Sequence, residues 1–511
     1  MNDWTAGYVA DIGYTYGYYL ELNPLRVKLA LINAGIIPPE VTSACELGFG
    51  QGLSANIHAA TSNIAWSGTD FNPAQAGFAQ ELATVSGNGA KLYDESFAEF
   101  AARDDLPEFD YIGLHGIWSW ISDENRSVIV DFIKRKLKVG GVLYISYNTQ
   151  PGWAAMIPMR DLLTEHAQVM GVPGQGISAR IGGALEFAEK LIATNPLFTR
   201  VNTTVGERFS KLKEQNRHYL AHEYFNQDWL PMPFAKMASW LAPAKLSYAC
   251  SAHYPDHIDV INLSPEQQAL LGQIPDKMFV QTVRDFMVNQ QFRKDYWIKG
   301  ARTLTPLEQA EAFRAQKVIL ITPKDSVSLK INGIVGEVNL QEAVYGPILD
   351  ALSDYQAKTL GELEQLLRDK GVNFAQIAQA VIILCGTGAI APVQDSAEIA
   401  KAKKSTEKLN QAIMVKSRST NELGYLASPV IGGGVTVGRF VQLFCLAITE
   451  GKKKPEEWAQ FVSNILAAQG QGLVKDGKAL ATPEENLAEL TEQANTFAQK
   501  QLPILKALQV I

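Results

Sequence analysis

The sequence predicts an α/β protein, built on a doubly wound parallel sheet. Two observations carry this prediction. Strand-like and helix-like segments alternate from Val41 to Tyr147, and a glycine-rich loop joins the first strand to the first helix. Such alternation is typical of parallel strands joined by crossover helices. The functional residues of these sheets lie at the C-terminal ends of the strands, so the site is expected there.

The alternating part contains five predicted strands. They cover residues 41–47, 64–70, 91–94, 109–114 and 141–147, and the predicted helices cover residues 53–60, 72–85, 96–102, 123–137 and 153–170. Two later strand-like segments, at 245–251 and 292–298, are candidates for a sixth strand and an antiparallel seventh strand. Residues 177–243 are helical in pattern and would then be an insertion within this domain.

Length and charge limit the function classes. A chain of 511 residues predicts two to four domains. Residues 1–110 contain 14 Asp and Glu against 4 Lys and Arg. This acidic character argues against a nucleic-acid substrate, because phosphate backbones require basic surfaces. It is compatible with a cationic substrate such as a lysine-bearing protein, and equally with an acidic surface that has no partner.

The cysteines and the apolar stretches predict a cytoplasmic protein without membrane insertion. The four cysteines are widely separated in apolar runs, which is typical of buried free thiols. The first residues lack the features of a signal peptide. The uncharged stretches 374–394 and 423–438 are interrupted by glycine and proline, so they are interpreted as helix-to-strand passages of the core.

The glycine-rich loop is the most informative motif. Glu46-Leu-Gly-Phe-Gly-Gln-Gly52 follows the first strand, and Asp70 ends the second. Glycines allow a tight turn and a close approach of backbone to ligand, and a carboxylate at this strand end accepts hydrogen bonds from ribose hydroxyls. The third glycine of a dinucleotide-binding G-x-G-x-x-G would be residue 53, which is leucine. The motif instead resembles motif I of class I S-adenosylmethionine (SAM) methyltransferases.

Further cofactor contacts are expected around this loop. Asp94 follows the third strand and is expected to bind the adenine amino group, with Phe97 against the ring; the alternative is a helix-capping acid and a core phenylalanine. The tyrosine-rich residues 7–24 are expected to cover the mouth of the site, unless they form an ordinary core segment. The predicted cofactor-binding residues are Tyr14, Tyr16, Glu46, Gly48, Gly50, Gly52, Asp70, Phe71, Asp94, Ser96, Phe97 and His115.

Candidate catalytic residues follow the fourth and fifth strands. His115 would contact the cofactor or take a proton, and Trp118 would form a wall of the acceptor channel. Tyr147 and Asn148 would hydrogen-bond an acceptor amine. Each of these residues has a structural alternative, as a packing or loop-stabilising side chain. His218, His222 and Glu223 do not match a zinc motif, and no metal is expected.

Several motifs together resemble one family, the bacterial class I methyltransferases with a methyltransferase regulatory domain. Rickettsial lysine methyltransferases of outer-membrane proteins are its best-known members. The resemblance rests on the glycine loop and on residues 11–24, 109–120, 146–153, 219–224 and 289–295. It implies a seven-stranded Rossmann-like sheet, SAM as cofactor, a helical insertion that contributes to a homodimer, and lysine side chains as acceptors. It covers residues 8–300 and is weak beyond them.

The whole chain is divided into five segments. They are the first part of the methyltransferase core (1–176), the helical insertion (177–243), the end of the core (244–300), a winged-helix-like middle domain (301–395) and a helical C-terminal domain (396–511). Three functions remain open: lysine methylation of a protein bound for the cell surface, methylation of a small molecule or glycan, and SAM binding by a regulatory or scaffold protein.

Overall fold

A computed structural model describes residues 15–172 and 174–511 of the chain. Its central feature is a seven-stranded sheet in the order β3-β2-β1-β4-β5-β7-β6. The strands are β1 Ser43–Leu47, β2 Ala65–Thr69, β3 Lys91–Tyr93, β4 Phe109–Leu114, β5 Leu137–Asn148, β6 Leu246–Ser251 and β7 Phe292–Lys299.

The strand directions confirm the predicted fold. The first five strands run parallel, whereas β7 runs antiparallel to both β5 and β6. All residues of β1 and β4 are buried, as expected for strands covered by helices on both faces. β5 is longer than predicted, because it already begins at Leu137.

The helices of this domain begin at residues that suit a helix start. Asn72 and Ser96 cap the helices that follow β2 and β3, and Ser96 forms a capping box with Glu99. These caps fix where the loops after the strands end. The helices are α1 Pro24–Asn33, α2 Leu53–Thr61, α3 Pro73–Ser86, α4 Phe97–Ala101, α5 Asp123–Lys136 and α6 Ile157–Val169.

The predicted insertion is a group of helices with its own apolar core. Leu163 of α6, Leu185 of α7 and Leu220 of α10 are buried in that core. A second helical group between β6 and β7 was not predicted. The helices are α7 Ile177–Ala193, α8 Leu197–Val201, α9 Thr204–Lys213, α10 Arg217–Tyr224, α11 Phe234–Leu241, α12 Asp259–Asn262, α13 Pro265–Leu271 and α14 Lys277–Met287.

The middle segment was interpreted from the sequence as winged-helix-like. In the structure, Ile390–Pro392 pairs antiparallel with Lys317–Leu320, about seventy residues earlier in the chain. The elements are α15 Pro306–Arg314, β8 Lys317–Leu320, β9 Lys330–Gly333, β10 Gly336–Asn339, α16 Glu342–Leu352, β11 Lys358–Thr359, α17 Leu360–Leu367, α18 Phe374–Gly386 and β12 Ile390–Pro392.

The C-terminal segment packs on the methyltransferase core. α19 contacts α2 and α3, and Thr406 donates a hydrogen bond to the Ala60 carbonyl at 2.9 Å. Gly433 and Gly434 belong to a strand that pairs with Tyr425–Ser428. The elements are α19 Ser396–Lys416, β13 Tyr425–Ser428, β14 Gly433–Thr436, α20 Arg439–Thr449, α21 Pro455–Ala468, β15 Val474–Lys475, β16 Lys478–Ala479, α22 Pro483–Thr496 and α23 Leu502–Ala507.

The two uncharged stretches lie in the core, as predicted. The first forms α18 and β12, but the second forms the β13–β14 hairpin and not a helix-to-strand passage. In the described part of the chain, no helix combines the length and apolar character that a membrane span requires. The four cysteines are buried and unpaired.

Candidate active site

The glycine loop forms the floor of a cavity at the C-terminal ends of β1, β2 and β4. Gly48, Gly50 and Gly52 all have positive φ angles, between 59° and 72°. A Cβ atom at Gly48 would lie 2.5 Å from Ile117 Cδ1, and one at Gly52 would lie 2.3 Å from the Ala79 Cβ. Both conformation and space therefore require glycine here, as the sequence predicted.

Asp70 is held in the cavity wall by backbone groups. One carboxylate oxygen accepts a hydrogen bond from Gly50 N at 2.8 Å, and the other from Asn72 N at 3.0 Å. The side chain is buried, and this burial raises its pKa to about 6. The loop and the second strand end are thus fixed to each other through Asp70, in the geometry expected of a ribose acceptor.

Glu46 lies beneath the loop with one oxygen unused. Its side chain is 1% exposed, and no described residue donates a hydrogen bond to its buried Oε2 atom. Burial, together with the nearby Asp70, raises the Glu46 pKa to about 8. Glu46 was predicted to bind the cofactor, but it does not belong to the lining of the cavity.

The end of β3 requires a correction. Asp94 is exposed and does not line the cavity, whereas the next residue, Glu95, does. Arg103 binds Glu95 Oε1 at 2.6 Å, and the other oxygen, Oε2, is buried without a donor among the described residues. Ser96 and Phe97 line the cavity as predicted. The carboxylate that lines the cavity at this strand end is therefore Glu95 and not Asp94.

The tyrosine-rich segment covers one side of the cavity, but with other residues than predicted. Thr15, Gly17 and Tyr19 line it. Tyr16 instead packs edge-on against Phe78 of α3, with ring centroids 5.0 Å apart. Tyr14 lies outside the described residues.

His115 lies in the cavity wall, where it was expected. Its ring stacks on Tyr19 with centroids 3.7 Å apart, and its Nδ1 is 2.8 Å from the Tyr144 hydroxyl. Burial lowers the His115 pKa to about 4, so the imidazole is neutral at pH 7. An imidazole with so low a pKa is a weak base, and its contacts with Tyr19 and Tyr144 hold it in the cavity wall.

The other three candidate catalytic residues lie outside the cavity. Trp118 is fully buried, with its Nε1 3.5 Å from the Met232 sulfur. Tyr147 donates a hydrogen bond to Asp295 at 3.0 Å, within a buried pair between Asp295 and Arg293. Asn148 accepts a hydrogen bond from Trp153 Nε1 at 3.0 Å. Each has its structural role, because its side chain is directed into packed parts of the domain.

Several residues of the cavity lining were not among the residues predicted from the sequence. Trp120 lines the cavity, and its Nε1 donates to the Glu223 carbonyl at 3.3 Å, which connects the cavity to α10 of the insertion. The motif Trp-Ser-Trp contained this residue, but its spacing does not show which tryptophan faces the site. The other missed lining residues include Gln51, Asn72, Gln75, Ile117, Ser122 and Asn125.

The cavity bears negative and no positive side chains. Asp70 and Glu95 belong to its lining, and no lysine or arginine does among the residues that the structure describes there. His218 is exposed while His222 is buried, and the described residues contain no group of three or more potential metal ligands.

The sequence of this chain matches one family model and is similar to two other proteins. Residues 216–299 match the family model of a predicted methyltransferase regulatory domain. A Synechocystis protein, sll1526, is 41% identical over 510 residues, covering 99% of both chains. A Rickettsia prowazekii protein, RP789, is 26% identical over 292 residues, which are 55% of this chain and 51% of that protein.

The solved structures show the fold. PKMT2 from Rickettsia typhi, in complex with AdoHcy, matches with a TM-score of 0.71 and 15% identity, over 98% of this chain and 100% of that one. The seven-stranded sheet has the fold of the class I methyltransferases, as predicted. The chain belongs to the same family as the Synechocystis protein and carries the methyltransferase regulatory domain, which confirms the predicted family.

Proposed function

We propose that this chain is a SAM-dependent methyltransferase whose acceptors are lysine side chains of a protein. The cavity itself is the observation that supports SAM as the cofactor. Its three left-handed glycines, the fixed Asp70 carboxylate and the buried Oε2 atom of Glu95 fit the loop, ribose and adenine contacts of that cofactor. AdoHcy, with which PKMT2 was solved, is the product that SAM leaves after methyl transfer.

The acceptor is supported by charge and by resemblance. Asp70 and Glu95 favour positive charge in the cavity, and a lysine approaches as a cation before it loses a proton. The motifs at strand ends β4 and β5 resemble those of lysine methyltransferases.

SAM would supply an electrophilic methyl group for in-line displacement, so the residues of this chain act by positioning. Asp70 and Glu95 hold the two ends of the nucleoside. His115, neutral and stacked on Tyr19, together with Trp120 forms the apolar side at which the acceptor amine is desolvated. Desolvation lowers the lysine pKa and favours the neutral, nucleophilic amine, whose proton passes to solvent.

Transfer of labelled methyl groups tests the proposal. The purified full chain is incubated with methyl-labelled SAM and bacterial lysate, with Asp70→Ala as the control without cofactor binding. Label in protein bands that yields methyllysine on hydrolysis is the expected result. Label only in small-molecule or saccharide fractions would assign a different acceptor, and tight SAM binding without any transfer would indicate a regulatory protein.

A further inference from the structure

Two adjacent tyrosines connect the C-terminal domain to the candidate cofactor site. Tyr18 and Tyr19 precede α1, and their side chains contact different parts of the molecule. Tyr18 packs on the hairpin formed by β13 and β14, whereas Tyr19 lines the cavity. A backbone shift at one residue must therefore move the other.

Tyr18 is fitted closely into the hairpin. Its ring lies 5.6 Å from Tyr425 of β13 and 5.1 Å from His58 of α2. Its hydroxyl is hydrogen-bonded by the Gly434 backbone and the Asn23 side chain, and burial raises its pKa to about 12. A Cβ at Gly433 would lie 2.3 Å from the Tyr18 hydroxyl oxygen, so the hairpin leaves no space for a larger residue.

Asn23 fixes the end of the same segment. Its Nδ2 donates to the Ile431 carbonyl in the hairpin turn at 3.0 Å. Its Oδ1 accepts from Leu25 N at 2.9 Å and caps α1. The hairpin thus contacts both Tyr18 and Asn23, of which one precedes Tyr19 in the sequence and the other follows it.

Tyr19 is the neighbouring residue that contacts the cavity. Its backbone N donates to Ser54 Oγ of α2 at 3.3 Å, and its ring covers the His115 ring at 3.7 Å. These contacts place an aromatic face beside the position of the glycine loop. The cavity wall on this side therefore depends on residues that the C-terminal hairpin holds.

We infer that the β13–β14 hairpin positions Tyr19 as part of the cofactor site, so that the C-terminal domain sets the affinity for the cofactor. Tyr18 and Asn23 are positioning residues in this account, because they act through Tyr19. The inference rests on the cofactor assignment of the proposed function and gives the last domain a role in it.

The test is a calorimetric titration of S-adenosylhomocysteine into full-length variants. Gly433→Ala should displace Tyr18 and weaken binding at least tenfold. Gly424→Ala is the matched control, since a Cβ there meets no atom within 4 Å and the residue lies next to β13. Gly424→Ala should bind as the wild type does. Equal affinity of Gly433→Ala and wild type would overturn the inference.

Two more variants separate positioning from general stability. Leu466→Ala removes a buried side chain of α21 in the same domain, away from the hairpin. It should lower the melting temperature and leave the affinity unchanged; an equal loss of affinity would contradict the inference. Tyr18→Phe removes only the hydroxyl and should weaken binding a few-fold, which keeps the test decisive if Gly433→Ala does not fold. Wild-type protein that binds no S-adenosylhomocysteine would instead refute the proposed cofactor.

Discussion

The ends of β1 to β3 and the ends of β4 and β5 lie side by side in one sheet, but they differ in how their side chains are used. At the first group, the glycines and Asp70 lie in the cavity as predicted, with one shift, from Asp94 to Glu95. Of the four catalytic candidates at the second group, only His115 lines the cavity, while Trp118, Tyr147 and Asn148 stabilise the domain. The cavity residues of the first group are thus predictable from the local sequence, whereas those of the second group depend on packing between distant segments.

The largest effect is expected from Asp70→Ala. The variant removes a carboxylate that would accept two ribose hydrogen bonds, each worth about 1.5 kcal/mol or more for a charged acceptor. Affinity for S-adenosylhomocysteine should therefore fall about 100-fold or more in calorimetric titrations. Binding within a factor of three of the wild type would refute the role of Asp70.

Glu95→Gln and Asp94→Asn sharpen the comparison at a single strand end. Glu95→Gln weakens an acceptor for the adenine amino group and should reduce affinity about tenfold, corresponding to about 1.4 kcal/mol. Asp94→Asn changes an exposed side chain outside the cavity and should leave affinity unchanged. A larger loss of affinity in Asp94→Asn than in Glu95→Gln would instead support the prediction that Asp94 binds the adenine amino group.

The pH dependence of binding should follow Asp70. Its pKa is raised to about 6, so the carboxylate that accepts ribose hydrogen bonds is lost as the pH falls through this value. Affinity should decrease about tenfold from pH 7 to pH 5 by proton linkage. Glu46 and His115, with pKa values of about 8 and about 4, largely keep their protonation states over this range. Asp70→Asn should show weak binding without this dependence.

His115→Asn should separate turnover from affinity. The imidazole, which is neutral at pH 7, stacks on Tyr19 in the cavity wall at which the proposed acceptor amine would approach. The methyl-transfer rate should fall more than the affinity for S-adenosylhomocysteine, in transfer assays with the acceptor fraction of the lysate. An equal loss in both would show that His115 only holds the cofactor.

Tyr147→Phe should have the smallest effect on the site. It removes one hydrogen bond to buried Asp295, which keeps its hydrogen bonds from Arg293, and should lower the free energy of unfolding by about 1 kcal/mol. Cofactor affinity should not change. If Tyr147→Phe lost affinity while its stability was unchanged, Tyr147 would have to be a residue of the cofactor site.

The comparison also shows what a sequence can predict. The five parallel strands follow from alternating segments, and the glycines from left-handed backbone conformations that residues with a side chain rarely adopt. Which of Trp118 and Trp120 faces the cavity depends on α10 and on Met232, about a hundred residues later, so spacing alone does not settle it. The contact of Tyr18 with Gly433 joins residues more than four hundred positions apart and has no local signal.

One paired measurement tests the account most directly: calorimetric titration of S-adenosylhomocysteine into Asp70→Ala and Tyr147→Phe, with folding of both verified by circular dichroism. The account predicts no measurable binding for Asp70→Ala and wild-type affinity for Tyr147→Phe. Equal affinities in the two variants, or a greater loss in Tyr147→Phe, would contradict it.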